Sequence, residues 1–261
     1  MKFFSIISIC FKNLDELKYT SVSIGSQTCT DFEWIVVDGD SQDGTKDWLS
    51  RTNPSKWVSE KDNGIYDAMN KGIEMATGKY LIFMNSGDSF ASSSVLEKTK
   101  KEVQVNGSPC FVYGDSIDIS ENNQEFYRKA KSHSKNWLGM ITQHQAMFFK
   151  TKCVGQKRYS LNYPLSADYA FISEILVGLK EKDVLQLDFP ICKFSMGGAN
   201  EEFRFKAIKE DYSIREKIIK LSIITNLCLL SLHYIHASIK KINPASRFFR
   251  HSKQSIKFWF F

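Results

Sequence analysis

Three short polar runs, Asp38-Gly39-Asp40, Glu60-Lys61-Asp62-Asn63-Gly64 and Asn85-Ser86-Gly87-Asp88, each follow apolar residues. Mg2+ and Mn2+ prefer oxygen ligands, and often take only one or two carboxylates when phosphates supply the rest. A ligand carrying a diphosphate therefore fits turns of this kind. Asp88 ends a wholly apolar run, Tyr80–Met84 plus its turn, where a carboxylate can hold a cation that offsets charge on a departing diphosphate. Asp38 can accept hydrogen bonds from a base or ribose. Asp and Gly are also ordinary turn formers, so one such turn says little. Three in succession favour a site.

The elements around these turns read as βαβ units. Phe3–Cys10, Glu33–Val37, Trp57-Val58 and Tyr80–Met84 are short β-rich runs. Between them lie helical patterns through Leu14, Leu17, Val22 and Ile24 with Asn13 as N-cap, through Trp48 and Leu49 after Asp43-Gly44-Thr45, and from Ile65 to Ala76 with Gly78 as C-cap. Such alternation predicts a parallel sheet, whose carboxyl strand ends share one edge, the edge at which open α/β folds bind ligands. Beyond residue 90 the regularity falls. Cys110–Gly114, Glu125–Lys129 and Gln145–Lys150 read as strands, Ala167–Val177 as a helix, and Val184–Phe194 as a strand interrupted at Pro190.

The 261 residues are 43% hydrophobic and 25% charged, enough for a large core and unlike a disordered chain. A net charge of +6 suits anionic partners without choosing among nucleotide, membrane face and nucleic acid. The six cysteines are scattered, with no CxxC pair and no zinc spacing, so no disulfide framework is expected and a reducing cytoplasm fits better. The N-terminal apolar run is short and lacks a cleavage pattern, so it reads as a buried strand rather than a signal peptide.

Val36-Val37-Asp38-Gly39-Asp40-Ser41-Gln42-Asp43-Gly44-Thr45 resembles the "VDDGSxDGT" segment of family 2 glycosyltransferases. Glu60–Ile73 and Ala76–Tyr80 resemble the helix and strand that follow it, in the branch found in bacterial capsule, exopolysaccharide and O-antigen clusters. The resemblance covers roughly residues 3–200. It implies a GT-A fold: an α/β, Rossmann-like, mostly parallel central sheet flanked by helices, here with a C-terminal helical extension. It divides the chain into a catalytic domain at 1–200, with a nucleotide-binding half at 1–90 and an acceptor half at 91–200, and a helical tail at 201–261.

The same resemblance implies transfer of a sugar from a nucleoside-diphosphate donor, a UDP-sugar foremost, to a glycan or polyprenyl-linked acceptor in surface polysaccharide synthesis. Asp38, Asp62, Asn85 and Asp88 then bind the donor, and Asp88 holds Mn2+ or Mg2+. The family's DxD turn falls on Asn85-Ser86-Gly87-Asp88, where only Asp88 keeps a carboxylate. Asp168, in Ser166-Ala167-Asp168-Tyr169, matches the segment of the inverting base; helix capping is its plainer role. His144, in Thr142-Gln143-His144-Gln145, stands near the diphosphate, metal or acceptor, or else is a structural histidine. Gly197 and Gly198 mark a loop near the acceptor.

The tail changes character. Leu221–Ile239 is uncharged apart from His233 and His236, and basic and aromatic residues follow it. Its length approaches the ~20 residues of a membrane span, but its Ser, Thr, Asn and His content favours an interfacial helix on an anionic membrane, with packing on the catalytic domain as the plain alternative. The expected place is the cytoplasmic face of the inner membrane, with no nucleic-acid partner. Two rivals remain: a nucleotidyltransferase, disfavoured because no glycine-rich loop follows the first strand, and a binding protein of this fold that has lost turnover.

Overall fold

The computed structural model describes residues 1–120, 122–195 and 203–242. β1 (Phe4–Cys10), β2 (Phe32–Asp38), β3 (Lys56–Ser59) and β4 (Tyr80–Phe83) run parallel in the order β3-β2-β1-β4. They are joined by α1 (Leu14–Gly25), α2 (Thr45–Thr52) and α3 (Ile65–Met75). The chain moves outward from β1 to β3 and then returns to the other side of β1. Crevices of open α/β sheets form at such reversals, beyond the carboxyl strand ends.

The two-residue strand period sorts the core into two faces. Phe4, Ile6, Trp34 and Val36 pack with Leu17, Ile24 and Leu49 of α1 and α2. Ile7, Ile9, Ile35 and Val37 pack with Tyr66, Met69 and Ile73 of α3. Every residue of β1 is buried, as expected of a parallel strand covered on both faces.

The second half is mixed. β8 (Met147–Lys150) lies antiparallel between β4 and β6 (Phe111–Ile119); β6 also pairs parallel with β9 (Val184–Ser195) and antiparallel with β7 (Glu125–Arg128). β5 (Ser89–Phe90) ends the sheet on β9. α4 (Val95–Val105) covers the first face, and α6 (Ala167–Leu176) joins α3 on the second. A single turn, α5 (Thr151–Val154), follows β8. α7 (Arg204–Ile214) continues into a π-helical segment, Arg215–Ile219, and α8 (Ile223–Ile242) packs back on α7.

Several local expectations are corrected. Asn13 sits at the N-cap of α1, but its side chain turns back to Phe11 N–H at 3.1 Å, and Asp43 Oδ2 accepts from Leu14 N–H at 3.1 Å instead. Pro190 does not interrupt β9, because the β6–β9 ladder shifts register around the Asp115–Pro190 pair. Gly78 is not the cap of α3, which ends at Met75 with Ala76 as its C-cap. It is glycine because the backbone presses on β1: a Cβ there would stand 2.6 Å from Ser5 Oγ and 2.7 Å from the Phe4 carbonyl carbon. Cys110 and Cys153 form a disulfide, against the expectation of none. β6 and β8 are antiparallel neighbours, so Cys153, just past β8, returns to the start of β6, where Lys150 N–H already meets the Cys110 carbonyl at 2.9 Å.

Glu33 fastens the same corner. Its carboxylate, 5% exposed, accepts from Ser5 Oγ at 2.6 Å, Thr77 N–H at 2.6 Å and Gly78 N–H at 3.0 Å, and pairs with Lys56 at 3.2 Å. Burial pushes its carboxyl up, but the hydrogen bonds from Ser5, Thr77 and Lys56 outweigh it and hold it below its ordinary value. Glu33→Ala strands those donors and is expected to cost about 2–4 kcal/mol in urea unfolding. The glutamate's contribution is present above its unfolded pKa of about 4.3 and lost as pH falls through the lower folded value.

Candidate functional site

A cleft of about 950 Å³ opens at the carboxyl edge of β1–β4. Its walls are Phe11, Lys12 and Asn13 after β1, Gly39, Asp40 and Gln42 after β2, Lys61 and Asp62 after β3, and Asn85 and Ser86 after β4. Ile65 and Ala68 of α3 close one side. Two lysines and two carboxylates thus face one space, beside Phe11, an aromatic ring that is 56% exposed.

Of the expected donor residues, Asp62 and Asn85 line this cleft and Asp38 does not. Asp38 is fully buried, with Oδ2 accepting from Ser59 Oγ at 2.7 Å and Ser41 N–H at 3.1 Å. Its carboxylate shapes the Asp38–Ser41 loop from behind, tying it to the end of β3. Ser41 Oγ in turn accepts from Lys12 N–H at 2.7 Å, which ties the β1 loop to the β2 loop. Lys12 and Asp40 both hold left-handed backbone, with φ of 54° and 64°. Asp62 Oδ1 accepts from Gly64 N–H at 2.9 Å, while Oδ2 lies over Gly39. A Cβ on Gly39 would stand 2.8 Å from that oxygen and 3.1 Å from the Phe11 ring. Gly39→Ala is therefore expected to displace both cleft side chains and weaken any ligand that the cleft holds about tenfold (~1.4 kcal/mol) with the fold intact, as measured by calorimetric titration.

Asp88 stands behind the Asn85–Ser86 wall, 5% exposed. Burial lifts its carboxyl to about 7, and Oδ2 accepts from Gln145 Nε2 at 2.8 Å. Asn85 Oδ1 is buried with no hydrogen-bond partner. Among the described residues no three His, Cys, Asp or Glu side chains gather into a metal site. Asp88 and the unpaired Asn85 oxygen are still the hard donors a divalent cation accepts, and such ions take one or two protein ligands when phosphate oxygens complete the shell. The residues fit the ion.

Asp168 lies in the first turn of α6 with its carboxylate held by Tyr169 N–H at 2.8 Å and by Tyr66 OH at 3.3 Å. Burial, with the nearby Asp211 adding to it, lifts its carboxyl to about 6, just below neutrality. Tyr66 follows Ile65 of the cleft wall in the chain but is itself buried in the core, with its hydroxyl turned to Asp168. His144 is buried among Phe83, Phe149 and Tyr159, with Nε2 2.6 Å from Tyr159 OH. Burial pushes it down to about 3, so it stays neutral and is suited to holding rings in place rather than to meeting phosphate charge. Gly197 and Gly198 lie outside the described residues.

Tyr66, Lys61 and Gln145 belong to this constellation, though none stood out in the sequence as a site residue. Lys61 had a signal, its place directly after the third strand. Tyr66 and Gln145 lie within the family-like segments, but nothing in the sequence points to their partners, 102 and 57 residues away.

Residues 5–161 match a family described as Glycosyl transferase family 2. An uncharacterised glycosyltransferase of Mycobacterium tuberculosis (strain ATCC 25618 / H37Rv) is 32% identical over 174 residues, 64% of this chain and 66% of that protein. A PGL/p-HBAD biosynthesis glycosyltransferase of Mycobacterium bovis (strain BCG / Pasteur 1173P2) is 33% identical over 57% of this chain and 60% of its own length. The chain thus matches just under two thirds of these relatives. A shorter match, 30% identical over 36% of this chain and 39% of the relative, is a UDP-Glc:alpha-D-GlcNAc-diphosphoundecaprenol beta-1,3-glucosyltransferase of Escherichia coli. Among solved structures, S. aureus TarS 1-349 in complex with UDP superposes with a TM-score of 0.66 at 16% identity, over 94% of this chain and 75% of that one. A mannosyltransferase from Pyrobaculum calidifontis with GDP-Man and Mn2+ gives 0.65 at 13% identity, over 99% and 81%.

Proposed function

The chain belongs to glycosyl transferase family 2, and on that premise we propose that it moves a sugar from a nucleoside diphosphate, a UDP-sugar foremost, to a glycan or polyprenyl-diphosphate-linked acceptor in bacterial surface polysaccharide synthesis. The observation that carries this reading is the cleft at the carboxyl edge of β1–β4, where two lysines and two carboxylates face one space beside the exposed Phe11 ring. The names of the relatives agree with it: one acts on a diphosphoundecaprenol-linked sugar, and solved neighbours hold UDP or GDP-Man.

In this reading Phe11 stacks on the base, Asp62 accepts hydrogen bonds from the nucleoside, and Lys12 and Lys61 face the diphosphate. Asp88 and Asn85 would hold a divalent cation, which would supply charge to offset that on the leaving diphosphate. Asp168 takes the proton of the acceptor hydroxyl as that oxygen bonds to the anomeric carbon. The bond from that carbon to the diphosphate oxygen breaks on the opposite face, which inverts the centre. A thermal-shift screen of nucleoside diphosphates with and without Mn2+ tests the donor side, because a ligand that binds only the folded chain raises its melting temperature. A rise with UDP and Mn2+ supports the reading; no rise with any nucleotide defeats it.

The acceptor side includes a membrane surface. No helix among the described residues is long and apolar enough to cross a membrane. α8 buries Asn226, Leu229 and Ala237 but leaves Ile224, Leu227, Leu232, Ile235 and Ile239 exposed in one helical stripe. Lys206, Lys209, Lys217 and Lys220 are exposed on the neighbouring segments. An apolar stripe beside cationic side chains suits an anionic bilayer face. Ile224→Glu combined with Ile235→Glu is expected to lower co-sedimentation with phosphatidylglycerol vesicles at least tenfold, since each buried isoleucine contributes about 1.5–3 kcal/mol. Unchanged sedimentation would remove the membrane from the proposal.

A further inference from the structure

The turn that carries Asp168 is held from outside its own segment. Ser166 occupies the N-cap of α6 but makes no side-chain capping hydrogen bond. Backbone N–H groups at a helix entrance need acceptors, and buried ones left without them are costly. Here the acceptor comes from α7. Glu210 Oε2 accepts from Leu165 N–H at 2.9 Å and from Ser166 N–H at 3.0 Å, bridging 45 and 44 residues of sequence. A carboxylate at this end of α6 also opposes the positive pole of the helix.

α7 is itself firmly seated. Ile214 packs on Tyr169 and Ala170 of α6. Arg215, fully buried, donates from Nε to Asn226 Oδ1 at 2.7 Å, and Asn226 Nδ2 donates to the Tyr212 carbonyl at 3.0 Å, locking α7 to α8. Glu210 therefore reaches the α6 entrance from a rigid support. Two residues further on, the Asp168 carboxylate has its orientation fixed by Tyr169 N–H and Tyr66 OH. Any rotation of that first turn swings the carboxylate away from Tyr66.

We infer that Glu210 is a positioning residue for Asp168, its carboxylate setting the first turn of α6 and so aiming the base. The inference rests on the reading of Asp168 as the base. It makes the C-terminal helices part of the catalytic apparatus through a single hydrogen-bonding oxygen. A misplacement of about 1 Å in an active site can cost on the order of 100-fold in rate.

The test uses the full chain and Mn2+, reading UDP release from UDP-glucose together with hydrogen exchange at the Leu165–Tyr169 amides, which needs no substrate. Glu210→Ala is expected to lower kcat about 10- to 100-fold with KM for UDP-glucose within about twofold, and to lose protection at Leu165 and Ser166. Glu210→Gln, which keeps an acceptor oxygen, restores most of both. In the Asp168→Asn background the Glu210→Ala change costs nothing further, because the two act in one unit. Should Glu210→Ala fail to fold, Glu210→Asp takes its place with the same expectations. Wild-type protection and turnover in Glu210→Ala, with Asp168→Asn inactive, would overturn the role of Glu210 alone. Full turnover in Asp168→Asn would instead overturn the base, and the inference with it.

Discussion

Asp168→Asn is expected to lower kcat by about 10²–10⁴-fold, the range of general-base catalysis, while leaving the chain at least as stable as wild type. The substitution keeps an oxygen at Oδ1, so the hydrogen bonds from Tyr169 N–H and Tyr66 OH survive. Asn also serves the start of a helix as well as Asp does, so a capping role would show almost no loss. Stability has its own sign. Burial, with Asp211 adding to it, raises the carboxyl to about 6, so above that pH the fold bears a half-buried charge that the unfolded chain hydrates freely. That penalty, roughly 1–3 kcal/mol, is relieved as pH falls from the folded value near 6 toward the unfolded value near 4, and is absent at every pH in the asparagine variant. The variant should therefore melt above wild type at pH 8, and the two should converge near pH 4. In the wild-type enzyme kcat/KM should be flat above pH 7 and fall about tenfold per unit below pH 6, as the base takes up its proton. Tenfold or smaller loss in Asp168→Asn, or a pH profile shared by both proteins, would return Asp168 to a structural role.

The parts of this site legible in the sequence are those coded over short distances. The four parallel strands show as apolar runs, three of them followed by Asp-Gly, Asp-Asn-Gly and Ser-Gly-Asp turns, and the structure gathers those turns at one sheet edge. What the pattern does not carry is the direction of each side chain within a turn. Asp38 and Asp62 both follow apolar strands, yet Asp38 points inward to Ser41 and Ser59 while Asp62 lines the cleft. Asp38 is still the last residue of β2, paired with Ser59 of β3, whereas Asp62 lies three residues beyond β3 in the loop that rims the cleft. Illegible altogether are the contacts made by distant segments. Gln145 reaches Asp88 only because β8 is inserted antiparallel beside β4, and the Cys110–Cys153 bond follows from the antiparallel pairing of β8 with β6 on its other side. Glu210 lies in a mixed-charge stretch that shows no motif, yet its carboxylate closes the entrance of α6. His144 illustrates the converse: histidine beside a glutamine reads as a metal or phosphate neighbour, until the surrounding rings of Phe83, Phe149 and Tyr159 make a charged imidazole too costly.

Asp88→Asn is expected to lower kcat by about 10²–10³-fold, the cost of losing one electrostatic group at a centre of developing charge, and to abolish the response to Mn2+. The two effects separate a metal ligand from a turn residue. As a turn residue Asp88 is readily replaced: Asn tolerates the same backbone, and its Oδ1 can accept the Gln145 Nε2 hydrogen bond that Asp88 now accepts at 2.8 Å. Removing a carboxyl that burial has already raised to about 7 also takes a costly charge out of the interior, so the variant should unfold no earlier than wild type. What asparagine cannot replace is the charge. With no cluster of three ligating side chains among the described residues, a cation here has few protein donors, and the neutral amide of Asn85 contributes none of its charge balance. Loss of the single carboxylate should then raise the Mn2+ concentration for half-maximal donor hydrolysis beyond the millimolar range, and EDTA should silence wild type while leaving the residual rate of the variant unchanged. A variant that keeps the wild-type Mn2+ curve would place the cation elsewhere. A wild-type enzyme indifferent to EDTA would leave Lys12 and Lys61, the two cations already lining the cleft, as the counter-charge to the diphosphate.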